Sequence, residues 1–126
     1  MSFIPTIAVD FDGTLTLHSD FPVMGKINPY AKEFVQNLSA LGYKVILWTC
    51  RKNSYLTEAL SLLKQENIYD CFDWDYLEDP DNFGDSGKVI AYYYIDDRGL
   101  LGFDLDEKKT WEHLFNYITK TAIIEN

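Results

Sequence analysis

The feature that most constrains this chain is a set of short apolar runs, rich in β-branched and aromatic residues, each stopped by polar side chains. Ile4 to Phe11 passes through Ile7-Ala8-Val9 into Asp10 and Asp12 before Gly13 breaks the pattern. Lys44 to Trp48 carries the apolar run Val45-Ile46-Leu47-Trp48 and closes on Thr49, and the run from Val89 to Ile95 stops at Asp96-Asp97. Runs that are apolar at successive positions, not at alternate ones, suit strands buried on both faces of a sheet. Helical patterns lie between them. Asn28 and Pro29 supply an N-cap and a first-turn proline for a helix whose inner face is Phe34, Val35, Leu38 and Leu41, ended by Gly42. A second helix, capped by Asn53 or Ser54, turns Leu56, Ala59, Leu60 and Leu63 inward, and a last one repeats Trp111, Leu114, Phe115 and Ile118. Strands alternating with amphipathic helices predict an α/β fold, a mainly parallel sheet with helices on both faces. Tyr69 to Asp75 alternates acids and aromatics and is read as a short strand, followed by a loop containing Pro80, Asn82, Gly84 and Gly87.

A chain of 126 residues suits one domain, residues 1–126, and no linker or repeat divides it. The net charge of -9 argues against nucleic-acid binding through a basic surface, which needs clustered Lys and Arg. An anionic substrate is therefore expected to be captured locally, with a metal. Cys50 and Cys71 lack the paired spacing of a zinc site and are read as free thiols. No window approaches the roughly 18 apolar residues of a membrane span, and no targeting segment is recognisable, so cytoplasmic residence and no membrane partner are expected.

Open parallel sheets bind ligands at the carboxyl ends of their strands, which makes the residues after each run the ones that carry chemistry. If the first and last strands are neighbours, their ends lie about 4.8 Å apart. Asp10, Asp12, Asp96 and Asp97 then gather into a cluster that cannot be fully ionised without a counter-cation. Oxygen ligands at this density suit Mg2+, which takes one or two carboxylates with waters and a phosphate oxygen. Taken singly, each acidic pair reads as an ordinary turn. Acids at two strand ends, a hydroxyl at a third and Lys88 between them make the chemical reading the better one.

These residues resemble the haloacid dehalogenase superfamily of phosphohydrolases, in particular its small capless members. Asp10-Phe11-Asp12-Gly13-Thr14-Leu15 matches the first motif of that family, Val45 to Thr49 the second, Lys88 the third, and Ile95-Asp96-Asp97 the fourth. The resemblance implies a three-layer, Rossmann-like core without a cap domain, since about a dozen residues separate Leu15 from the first helix. It further implies a phosphatase in which Asp10 attacks phosphorus to form an aspartyl-phosphate and Asp12 is general acid and base. Asp12 is expected to have its pKa raised by its acidic neighbours. Magnesium is implied between Asp10, the Asp12 carbonyl and the Asp96-Asp97 pair, with either Asp96 or Asp97 as the direct ligand and Asp96 the better placed. Thr49 and Lys88 hold the phosphoryl oxygens, with Arg51 and Arg98 as reserve cations.

A capless site is open, so it suits a phosphorylated small molecule or a larger phosphate ester, and a homo-oligomer is one means of closing it. Thr16 to Ile27 is read as a small flap, with His18, Phe21 and Lys26 as substrate contacts, although an exposed loop histidine is the simpler account of His18. Tyr92, Tyr93 and Tyr94 are read as packing residues, and the acids from Asp70 to Asp81 as a solvated face. The rival reading is a phosphoacceptor, receiver-like signalling domain or a binding module on the same scaffold. The order of acids, hydroxyl and lysine is less suited to the receiver.

Overall fold

The computed structural model describes residues 5–84, 89–96 and 104–124, with side chains placed as far as residue 120. Three parallel strands form the sheet: β1 (Thr6–Asp10), β2 (Lys44–Trp48) and β3 (Tyr93–Ile95), in the order β2-β1-β3. With β1 in the centre, Asp10 lies opposite Trp48 and Val9 opposite Ile95, so the three carboxyl ends come level. The expected runs were longer than the strands that pair. Phe11 leaves the sheet for the following turn, and Ile4 lies outside the described residues. Val89, read as the start of the last strand, forms an isolated antiparallel bridge with Phe83. Only Phe72 of the Tyr69–Asp75 stretch pairs, in a single parallel bridge to Val45, while Tyr69–Cys71 forms a 3-10 turn. Apolar character reports burial, and pairing requires backbone alignment that composition does not encode.

Helix α1 (Pro29–Ala40) follows β1, α2 (Asn53–Gln65) follows β2, and α3 (Lys108–Ile124) ends the described chain. The Asn28 side chain caps α1 by accepting from the amides of Tyr30 at 3.0 Å and Ala31 at 3.4 Å. Its own amide group donates to the Leu105 carbonyl at 2.8 Å, and the Trp111 indole donates to the same oxygen at 2.7 Å. One buried asparagine thereby fixes the start of α1 against the entry to α3, where Phe34 and Trp111 meet edge to face at 5.0 Å. Two local expectations are corrected. Leu41 sits at the C-cap of α1, 57% exposed, because the helix stops one residue before it. Neither Asn53 nor Ser54 caps α2: the helix begins at Asn53, whose positive φ of 54° asparagine tolerates, and Lys52 at the cap makes no side-chain bond.

The two sides of the sheet are covered differently. Ile7, Val9, Val45 and Leu47 share one side and form a single buried cluster with Phe34, Val35 and Leu38 of α1, Ala59 and Leu63 of α2, and Trp111 and Ile118 of α3. Ala8 and Ile46 face the other way and are fully buried outside that cluster. There the small Ala8 side chain leaves room for the rings of Trp48 and Tyr94 to meet across β1, with centroids 5.2 Å apart. The Tyr94 hydroxyl bonds to the Val89 carbonyl and accepts the Ala91 amide. Among the described residues the buried side chains of all three helices cluster with the Ile7 and Val9 side of the sheet.

Candidate active site

The end of β1 runs directly into a tight turn that places two carboxylates. Asp10 is the last residue of the strand, and the chain bends through Gly13, whose φ of 78° favours glycine. Thr16 closes the turn: its amide donates to the Phe11 carbonyl at 3.1 Å, its hydroxyl donates to the same oxygen at 3.3 Å, and the Gly13 amide donates to that hydroxyl at 3.3 Å. Asp12 therefore sits on a braced loop. The following residues form the expected flap. The Leu17 amide donates to Lys26 at 2.7 Å and the Asn28 amide to Leu15 at 2.7 Å, joining the two arms at their base. Gly25 is needed for this approach, since a Cβ there would lie 2.1 Å from the Leu17 carbonyl oxygen.

A cleft of about 420 Å³ opens at the carboxyl ends of the strands, lined by Asp10, Asp12, Thr49 and Asp96 and rimmed by His18 and Phe21 of the flap. Four residues from three strand ends, spread from position 10 to position 96, thus share one concavity of the size usual for small-ligand sites. His18 is exposed, as the simpler reading held. Thr49 accepts the Arg51 amide at 3.1 Å, which leaves its hydroxyl hydrogen available to donate. Lys88, Asp97 and Arg98, named from the sequence for phosphate and metal, lie outside the described residues.

The largest departure from expectation is Arg51. Its guanidinium forms a two-pronged ion pair with Asp12, Nε to Oδ2 at 2.8 Å and Nη2 to Oδ1 at 2.7 Å. The Arg51 side chain is 1% exposed and that of Asp12 34% exposed. Two aromatic rings flank the cation, Phe21 at 5.1 Å and Phe11 at 5.4 Å from its carbon. The hydrogen bond to Asp12 raises the Arg51 pKa above its ordinary value, outweighing the opposing effect of burial. Asp12 was read as a carboxylate among carboxylates; the fold supplies it with a cation 39 positions away. The signal in the sequence was only that a basic residue follows Thr49 at close range.

No group of three His, Cys, Asp or Glu residues placed to hold a metal ion occurs among the described residues. Mg2+ does not require such a cage, because it takes one or two carboxylates and keeps several waters. Asp10 and Asp96, which line the same cleft, with the backbone carbonyl of Asp12, form a donor set of that chemistry. The acids from Asp70 to Asp81 include turn-forming side chains: Asp73 accepts the Tyr76 amide at 3.0 Å and Asp79 the Asp81 amide at 2.9 Å. Cys50 and Cys71 are free thiols. No described helix is long and apolar enough to cross a membrane.

No protein-family model matches the chain, and neither does any curated protein. A solved structure from Bacteroides thetaiotaomicron, described as a conserved protein coded by a locus of that organism, superposes with a TM-score of 0.72. The two share an α/β fold. They are 28% identical, and the match covers 94% of this chain and 93% of the other.

Proposed function

We propose that this chain is a magnesium-dependent phosphatase of the haloacid dehalogenase type, a single capless, three-layer, Rossmann-like domain that hydrolyses a phosphate monoester in the cytoplasm. The observation that carries this reading is the convergence of Asp10, Asp12, Thr49 and Asp96 on one cleft at the carboxyl edge of a parallel sheet. The short flap between Leu15 and α1 agrees with a capless enzyme.

In this reading the Asp10 carboxylate attacks phosphorus in line with the leaving oxygen. As the new O–P bond forms, the ester O–P bond breaks and the leaving oxygen takes a proton from Asp12. A water then attacks the aspartyl-phosphate, passing its proton to Asp12; inorganic phosphate departs and Asp10 is restored. Thr49 donates its hydroxyl hydrogen to a phosphoryl oxygen, and Lys88 is the cation that offsets the phosphate charge. Asp10, the Asp12 carbonyl and the Asp96-Asp97 pair would hold Mg2+, which would supply charge neutralisation for the phosphoryl group.

The test is release of phosphate from a generic aryl phosphate ester with and without Mg2+. Metal-dependent release by the wild type, lost in Asp10→Asn, is the expected result. No release with any divalent ion would overturn the reading in favour of a binding or signalling domain.

A further inference from the structure

The Arg51 side chain is spent on the protein itself. Four of its five N–H groups are engaged: Nε and one on Nη2 with Asp12, the other on Nη2 with the Pro22 carbonyl at 3.5 Å, and one on Nη1 with the Tyr55 carbonyl at 3.4 Å. These acceptors belong to three different segments, namely the loop after β1, the flap, and the first turn of α2. A guanidinium that is 1% exposed and bonded in this way cannot also cradle a phosphate without giving up a carboxylate in a partly dry site. Its planar fork matches both oxygens of Asp12 at once, which a single ammonium point charge does not. Phe21, which rims the cleft, lies over the same cation.

From this geometry we infer that Arg51 is a positioning residue: its guanidinium fork sets the Asp12 carboxylate and pins the flap at Phe21-Pro22, and it does not bind the substrate phosphate. The inference rests on the proposed phosphatase reading for its link to turnover, while the pinning of the flap stands apart from it. Misplacing a reacting group by about 1 Å is enough to cost on the order of a hundredfold in rate.

The full-length wild type, Arg51→Lys and Arg51→Gln are compared in two measurements. In Mg2+-dependent turnover of an aryl phosphate, both variants are expected to lose at least about tenfold in kcat, with KM and inhibition by inorganic phosphate changed less than about threefold. Arg51→Lys failing to rescue kcat is the signature of the fork. Retained kcat in Arg51→Lys, or inhibition by phosphate weakened tenfold or more in Arg51→Gln, would overturn the assignment in favour of a phosphate ligand. In amide hydrogen exchange, the Val23 amide, which donates to Asp20 within the flap, is expected to exchange faster in both variants while β1 amides keep their protection. Unchanged exchange at Val23 in both would overturn the clamp. If the wild type turns over no ester, the phosphatase reading fails and the exchange measurement alone decides whether Arg51 pins the flap.

Discussion

The helix-covered face of the sheet and its carboxyl edge are built from adjoining residues of the same strands, yet they follow opposite rules. On the face, Ile7, Val9, Val45 and Leu47 are at most 5% exposed and belong to one apolar cluster, so each contributes by leaving water. At the edge, Asp10, Asp12, Thr49 and Asp96 remain half-buried around an open cleft, where the concentration of negative charge opposes folding. The fold offsets that cost at Asp12 with a dry arginine. A site assembled in this way is expected to trade stability for chemistry, and the face to do the reverse.

Substitutions that separate the two regions make the contrast testable. The largest effect is expected at the edge: Asp10→Asn should lower turnover of an aryl phosphate on the order of 10³-fold or more, while the melting temperature stays level or rises. A fall in melting temperature with turnover kept would reverse the comparison. Chelation of divalent ions should likewise abolish turnover, with recovery on adding Mg2+; full activity in excess chelator would remove the metal from the account. On the face, Leu38→Ala should cost about 2–5 kcal/mol in denaturant unfolding, since Leu38 is fully buried. Asn28→Ala should cost about 1–3 kcal/mol, because it removes the α1 cap and the bond to Leu105 together. Leu41→Ala, three positions beyond Leu38 in the same apolar pattern but 57% exposed, should stay within about 0.5 kcal/mol. Equal losses at Leu38 and Leu41 would show that α1 buries a longer face than its hydrogen bonds indicate.

The Leu38 and Leu41 pair also shows how far local pattern carries. Apolar periodicity placed both on one face, but the helix ends between them, and only the backbone hydrogen bonds reveal where. Asn28 with Pro29 was legible as a helix start because capping is a contact over two or three residues. Its second bond, to Leu105 77 positions away, was not. The Val89–Ile95 run was legible as a strand, but only Tyr93–Ile95 joins the sheet, Val89 bridges Phe83 instead, and Ile90 and Tyr92 are about half exposed, because hydropathy has no term for strand alignment.

What the sequence by itself determined is the α/β alternation, the bounds of β2, the start of α1, and acids and a hydroxyl at strand ends. All of these depend on interactions within a few residues, which the order of side chains specifies directly. Tertiary structure decided that β1 lies between the other two strands, so that three ends share a cleft, and that the helices' buried side chains cluster with Ile7 and Val9. It also decided the partner of Arg51. A guanidinium fits a carboxylate and a phosphate equally well, so its chemistry names both, and only the chain path brings the carboxylate of Asp12 into its fork.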